Sequence, residues 1–160
     1  MNIENLLSTK ERIRILGSII FKTGKLSVNL IAKDLKLSKG LISMYMELLT
    51  REGVVRRSKG KFLVSHDAPL VKGIKVLLNI SGMDTRIFKK YAFVKAVGLY
   101  GSCSKGENTE DSDVDMWVRL EETTESKKAA LAVQLRKKIR NVKPLFLSPE
   151  KIRELRAKEE

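Results

Sequence analysis

The stretch Leu99-Tyr100-Gly101-Ser102-Cys103-Ser104-Lys105-Gly106, followed after six intervening residues by Asp113-Val114-Asp115-Met116-Trp117-Val118, decides the fold of the C-terminal half. An apolar run ends in a glycine, which has no side chain to keep a phosphate group away from the backbone. Ser102 adds a hydroxyl where a helix is expected to begin, and the N-termini of helices attract anions. The stretch therefore predicts a strand, a phosphate-binding turn and a second strand.

Two carboxylates stand at the start of the second apolar run. Asp113 and Asp115 are two residues apart, so on a strand both side chains lie on the same face. Carboxylates held this close repel each other unless a cation lies between them. Mg²⁺ (or Mn²⁺) suits this position because it binds few carboxylates and bridges to substrate phosphates. Gly-Ser turns and Asp-x-Asp pairs are each common alone, but their combination indicates metal-assisted attack on a nucleoside triphosphate (NTP).

The whole stretch resembles the minimal nucleotidyltransferases of the polymerase-β superfamily, over roughly residues 90–158. The resemblance implies a small mixed sheet flanked by helices, with NTP as substrate or ligand and Mg²⁺ as cofactor. The residues that it assigns are Gly101 and Ser102 for the nucleotide, and Asp113 and Asp115 for the metal and for catalysis. Lys105 and Lys95 are candidate phosphate-side cations that would also bind the nucleotide, although lone surface lysines are common.

One part of the superfamily pattern is missing. Active members carry a third acidic residue on the strand that follows the intervening helix. Here that strand is Val142–Leu147, and the expected position, judged by its distance from Pro149, holds Leu145. General-base assistance contributes about 10²–10⁴-fold in rate. Its loss leaves three alternatives open: slow transfer, an acid borrowed from a partner or substrate, or nucleotide binding without transfer.

The N-terminal half consists of short helices and a hairpin. Ser8-Thr9-Lys10-Glu11 has the form of a capping box and predicts a helix with its apolar residues at Ile13, Leu16 and Ile20. A second short helix is expected over about 29–35. Ser38 is placed to cap a third helix, from Lys39 to Glu52. Two β-rich runs joined at Ser58-Lys59-Gly60 predict a hairpin.

Helices and hairpin together resemble the winged helix-turn-helix domains of prokaryotic regulators, over roughly residues 8–66. The resemblance is carried by Ile31-Ala32-x-x-Leu35-x-Leu37-Ser38-x-Gly40-x-Ile42-Ser43 and by Leu49-x-x-x-Gly53-Val54-Val55. We therefore predict an α+β chain of two domains. A winged helix-turn-helix domain occupies 1–67 and a nucleotidyltransferase domain 68–160, within which 68–90 forms connecting helices that pack on the second domain.

The predicted winged helix is unusual in its third helix. Leu41, Met44, Tyr45 and Leu48 form a second apolar stripe where DNA-reading helices usually carry polar side chains. Contact with phosphates and little reading of bases is one interpretation, and a protein interface is the other. Candidate nucleic-acid ligands lie on the third helix and around the hairpin: Lys39, Ser43, Arg51, Arg56, Arg57, Lys59 and Lys61.

Composition limits the classes of function. The formal net charge of +13 favours polyanionic partners such as nucleic acid, although lysine-rich surfaces also keep small proteins soluble. No apolar run approaches the roughly 20 residues of a membrane span, and no signal peptide is recognisable. The single cysteine, Cys103, cannot form an internal disulfide, which fits a cytoplasmic protein.

Three functional hypotheses follow. The first is a Mg²⁺-dependent nucleotidyltransferase that transfers a nucleoside monophosphate from NTP to an acceptor that the sequence does not identify. The second is a DNA-binding transcriptional regulator whose catalytically degenerate transferase domain senses a nucleotide. The third is an antitoxin-like partner of a small helical protein, or a homodimer.

Overall fold

The computed structural model describes residues 3–158, which fold into two compact units. The N-terminal unit comprises the chain up to Leu78 together with Gly106–Asp111. The sheet unit comprises Asn79–Lys105 and the chain from Ser112 onward. The segment Gly106–Asp111, called here the returning loop, thus interrupts the sheet unit in sequence and packs with the N-terminal unit.

Short helices and one hairpin build the N-terminal unit. Their bounds are α1 (Ile3–Leu7), α2 (Lys10–Ile19), α3 (Val28–Leu35), α4 (Lys39–Arg51), β1 (Val55–Ser58), β2 (Lys61–Val64) and α5 (Pro69–Ser81). Ser38 caps α4 by accepting a hydrogen bond from the Leu41 backbone N–H, as predicted. Lys59 and Gly60 both have positive φ in the two-residue turn of the antiparallel hairpin, which confirms the predicted hairpin.

The start of α2 differs from the capping-box prediction. Thr9, and not Ser8, is the N-cap residue, because its hydroxyl accepts the hydrogen bond from the Arg12 backbone N–H. Of the predicted apolar residues Leu16 and Ile20 are buried and Ile13 is exposed, while Ile15 and Ile19 are buried in addition.

A helix that the sequence reading missed changes the interpretation of α4. Tyr45 and Leu48, predicted to lie on an exposed apolar stripe, are only 2% and 7% exposed. Leu6 of α1 is fully buried in the same core, and its carbonyl oxygen accepts a hydrogen bond from the Tyr45 hydroxyl at 2.9 Å. Only Met44 remains strongly exposed, at 73%. The expected apolar interface on α4 is therefore mostly internal core.

The helix α5 belongs to the core of the N-terminal unit. Val71 and Ile74 are buried among residues of α1 to α4, which corrects the expectation that this segment packs on the second domain. Within 68–90, α5 ends at Ser81 and a 3₁₀ helix, Thr85–Lys90, follows separately.

A three-stranded mixed sheet organises the sheet unit. Its elements are β3 (Val94–Leu99), α6 (Gly101–Lys105), β4 (Val114–Leu120), α7 (Glu125–Lys138), β5 (Val142–Leu147) and α8 (Pro149–Arg156). The strand order is β3-β4-β5, with β4 antiparallel to β3 and parallel to β5. The predicted mixed α+β class with a small sheet and helices is confirmed.

One face of this sheet is buried. Met116, Val118 and Leu120 alternate along β4 and pack with Leu131 and Leu135 of α7. Residues 113, 115 and 117 consequently belong to the opposite face, which carries the candidate site. No helix in residues 3–158 has the length and apolar character needed to cross a membrane.

Candidate nucleotide site

Gly101 makes the turn from β3 into α6, and the structure requires a glycine there. Its φ is +62°, in the left-handed region that other residues adopt at a cost. A Cβ at this position would lie 2.5 Å from Oδ2 of Asp115. This close approach brings the predicted turn next to the predicted carboxylates. The Tyr100 backbone N–H donates to the Asp115 carbonyl at 3.0 Å, and this hydrogen bond holds the turn beside β4.

Asp113 and Asp115, called here the acid pair, lie at the start of β4 on the face opposite the buried one. Asp113 immediately precedes the strand and Asp115 is its second residue. Both are half-buried. Behind them lies Cys103, which is buried in α6; burial and the Asp115 charge together raise the pKa of its thiol. A raised thiol pKa disfavours the nucleophilic thiolate, so Cys103 is a poor candidate for a nucleophile.

The sequence reading missed Lys143, the residue of β5 nearest the acid pair. In the parallel register Asp115 is paired with Lys143, and the Lys143 Nζ lies 2.5 Å from Oδ2 of Asp113. The hydrogen bond and charge of Asp113 raise the pKa of Lys143, with smaller contributions from Asp115 and Tyr100. The Lys143 side chain is therefore in its charged ammonium form, with acidic groups around it.

Leu145, the position at which a third acid was expected, pairs with Trp117 and lies one step further along the sheet. The error has a simple cause. Lys143 and Leu145 have the same parity on β5, so alternation puts both on the acid-bearing face. Only the register of β5 against β4 decides which of them faces Asp115, and register depends on contacts distant in sequence. The sequence offered one signal for this position: Lys143 lies two residues before Leu145 and therefore on the same face of the strand.

The residues present do not fit a resident divalent cation. Among residues 3–158 no group of three or more His, Cys, Asp or Glu side chains could hold a metal ion. Two carboxylates are available, and one already forms an ion pair with Lys143. Because an ammonium group cannot act as a metal ligand, this arrangement supplies fewer ligands than a protein-held Mg²⁺ site needs.

The remaining predicted nucleotide ligands are Ser102, Lys105 and Lys95. Ser102 is half-buried in the first turn of α6, and Lys105 ends this helix with its side chain exposed. Lys95 lies at the other end of β3, where it forms an ion pair with Glu121 at 2.9 Å. Lys95 is thereby separated from the turn at Gly101 by the length of the strand.

Concave surfaces of the sheet unit lie away from the acid pair. A cavity of about 520 Å³ lies beside the 3₁₀ helix and α7 and includes Arg86, Tyr91 and Lys138 in its lining. Another, of about 650 Å³, is lined in part by Arg119 and Arg153. Neither lining includes a residue of the acid pair.

The predicted nucleic-acid ligands are all on the surface of the N-terminal unit. Six of them are exposed on α4, β1, β2 and the hairpin turn: Lys39, Ser43, Arg51, Arg56, Lys59 and Lys61. Arg57 is also exposed, but it forms an ion pair with Glu47 and stacks near Phe62. Its charge is thus partly neutralised within the protein.

Comparison with known proteins gives one family. Residues 85–159 match the family model described as "Polymerase beta, Nucleotidyltransferase". No curated protein and no solved structure matches the chain significantly. The matched residues contain Gly101, the acid pair and Lys143, so the family and the geometry concern the same surface. Over residues 85–159 the chain is therefore similar to the nucleotidyltransferases of the polymerase-β family.

Proposed function

We propose that this protein is a nucleic-acid-binding regulator in which a domain of nucleotidyltransferase type binds a nucleotide and transfers it slowly or not at all. The observation that carries the proposal is Lys143, which lies opposite Asp115 where an active site of this type needs an acid. Gly101 and the acid pair retain the turn and the carboxylates associated with nucleotide binding.

The expected weakness in transfer has a chemical basis. A nucleotidyl transfer needs a group that accepts the proton of the attacking hydroxyl, and a protonated lysine cannot accept one. Like an ordinary lysine, Lys143 is protonated at neutral pH, and its ion pair with Asp113 raises its pKa further. Mg²⁺ is the cofactor that the family resemblance implies, but with Lys143 paired to Asp113 the residues present do not fit it.

The N-terminal unit supports assignment of a winged helix to residues 1–67. Helices α2 to α4 are followed directly by a hairpin, and Leu26 exchanges backbone hydrogen bonds of 2.7 and 3.1 Å with Phe62 of β2. This bridge fastens the hairpin to the segment between α2 and α3, as a wing requires. Basic side chains on the hairpin suit contact with phosphates, because such contacts require charge and little sequence recognition.

Transfer is tested by incubating the protein with α-³²P-labelled NTPs, Mg²⁺ or Mn²⁺ and host lysate, beside Asp113→Asn/Asp115→Asn. We expect little or no labelling by the wild type, together with retained binding of a fluorescent NTP analogue. Efficient labelling that disappears in the double variant would instead establish the transferase, the second candidate, which the intact acid pair and Gly101 favour. Absence of nucleotide binding would remove both.

Nucleic-acid binding is tested on duplex DNA by fluorescence anisotropy. Arg56→Ala is expected to weaken binding more than Arg57→Ala, because Glu47 already pairs with Arg57. Lys137→Ala on α7 removes the same charge from the sheet unit and serves as the matched control. Equal effects of all three substitutions would indicate attraction by net charge alone, and not a wing.

A further inference from the structure

The position of Lys143 has a consequence for the ion chemistry of the acid pair. Its Nζ contacts Asp113, and its Cα is paired with that of Asp115 on the adjacent strand. Apart from desolvation, the groups that shift the pKa of Lys143 are all anionic or acidic: Asp113, Asp115 and Tyr100. The ammonium therefore lies where the repulsion between two carboxylates calls for a cation.

A divalent cation at this place would compete with that ammonium. It would have to displace Lys143 from Asp113, and it would then find two protein carboxylates at most. The ion pair is largely exposed, with 65% of the Lys143 and 46% of the Asp113 side chain accessible, so its own strength is modest. Its effect comes from position: the lysine adds a positive charge to the site and removes the place for a third carboxylate.

We propose that Lys143 is the resident cation of the acid pair, so that this site holds no divalent metal ion of its own, and that Lys143→Asp converts it into a metal site. The inference concerns the same acid pair as the proposed function. It does not depend on nucleotide binding, because ion binding is measurable without nucleotide. A nucleotide bound at this surface would then need no divalent ion.

The test uses Tb³⁺ luminescence sensitised by Trp117, the single tryptophan of the chain. Trp117 follows Asp115 by two residues on β4 and shares its face. In the absence of nucleotide, Lys143→Asp is expected to bind Tb³⁺ at least about tenfold more tightly than the wild type, since affinity for hard cations follows the number of carboxylate ligands. Mn²⁺ should displace the bound Tb³⁺.

Two further variants separate the effect of the added carboxylate from the effect of the changed charge. Lys95→Asp makes the same charge change on β3, where Lys95 pairs with Glu121, and should bind Tb³⁺ like the wild type. Lys143→Met removes the competing charge without adding a ligand, so its affinity should fall between those of wild type and Lys143→Asp. Unfolding curves for each variant establish that the fold is retained. Wild-type binding as tight as that of Lys143→Asp would overturn the proposal, as would a folded Lys143→Asp without added affinity.

A second measurement follows binding of a fluorescent NTP analogue in EDTA and in Mg²⁺. The wild type should give similar dissociation constants in both, and Lys143→Asp should bind more tightly with Mg²⁺ than without. A wild-type affinity that falls at least about tenfold, or 1.4 kcal/mol, on removal of Mg²⁺ would contradict the proposal. Failure of all nucleotide binding would remove the proposed function and leave the Tb³⁺ result to decide this inference.

Discussion

Among the glycines whose surroundings the structure describes, Gly106 is the one at which an added Cβ would lie closest to another atom. Its φ is +69°, and a Cβ would lie 2.1 Å from the backbone oxygen of Lys72, which cannot rotate away. Gly53 has a similar φ of +75° but open space around it. Gly53→Ala should therefore lose about 1–2 kcal/mol of unfolding free energy for the backbone strain alone. Gly106→Ala should lose roughly 1–3 kcal/mol more from the clash.

Urea denaturation of both variants measures this difference directly. Gly106 begins the returning loop, which leads to the acid pair, so Gly106→Ala should also weaken nucleotide binding while Gly53→Ala leaves it unchanged. Equal losses of stability for the two glycines would show that the returning loop does not pack closely on α5.

Lys75 is a charged residue that is fully buried. Its Nζ donates to the carbonyl oxygen of Asn108 at 2.7 Å and to Nδ1 of His66 at 2.8 Å. Because an ammonium group only donates, Nδ1 accepts and Nε2 of His66 donates to the Lys22 carbonyl at 3.1 Å. His66 thus has a structural role, and Lys75 holds the returning loop.

Burial lowers the pKa of Lys75, which gives a testable pH dependence. Between that lowered value and the ordinary lysine value of 10.5, the unfolded state binds more protons than the folded state. The free energy of unfolding should therefore rise with pH through this window. Lys75→Met should lack this rise. Urea titrations of both proteins at several pH values below 10.5 measure it, and parallel curves would contradict the assignment.

At the scale of elements, the contact of α1 with α4 is the least expected feature. Burial raises the pKa of Tyr45 to about 12 from the ordinary 10.0. Between these values the unfolded tyrosine loses its proton and the folded one keeps it, so stability should fall as pH rises. Each pH unit corresponds to about 1.4 kcal/mol, which gives a loss of roughly 2–3 kcal/mol by pH 12.

Tyr45→Phe should remove that dependence, and the difference between the two proteins isolates it from the titration of lysines. The variant should be less stable at neutral pH by about 0.5–1.5 kcal/mol, because the Leu6 carbonyl loses its hydrogen bond. Leu6→Ala tests the same contact from α1, with an expected loss of about 2–5 kcal/mol for a fully buried leucine.

The elements themselves were largely predictable, and their mutual placement was not. The sequence predicted β5 as Val142–Leu147 and α4 as Lys39 to Glu52, each within one residue of the bounds that the structure has. These are local patterns, which propensity and burial fix within a few residues. The position of Lys143 beside Asp113 depends on strand register, and the burial of Tyr45 depends on a helix 39 residues away. Sequence periodicity contains neither piece of information.

For the whole molecule, the net charge of +13 predicts a strong effect of salt on nucleic-acid binding. If about five phosphates are contacted, raising the salt from about 50 to 200 mM should weaken duplex binding by about 10²–10³-fold. Arg56→Ala should reduce the slope of log K against log salt by about one. The measurement is fluorescence anisotropy across a salt series, and a flat salt dependence would exclude phosphate contact as the basis of binding.

The returning loop makes the two units discontinuous in sequence. The chain passes from one to the other three times, at residues 78/79, 105/106 and 111/112. Cutting the chain once near residue 79 therefore breaks contacts in both fragments. The N-terminal fragment loses the Asn108 carbonyl that accepts a hydrogen bond from Lys75, and the C-terminal fragment carries the returning loop without the residues on which that loop packs. An excised C-terminal fragment, even one cut at the family boundary, is a poor substitute for the intact protein in assays. Separating the two halves by proteolysis, or exchanging one of them by recombination, should therefore yield unstable products.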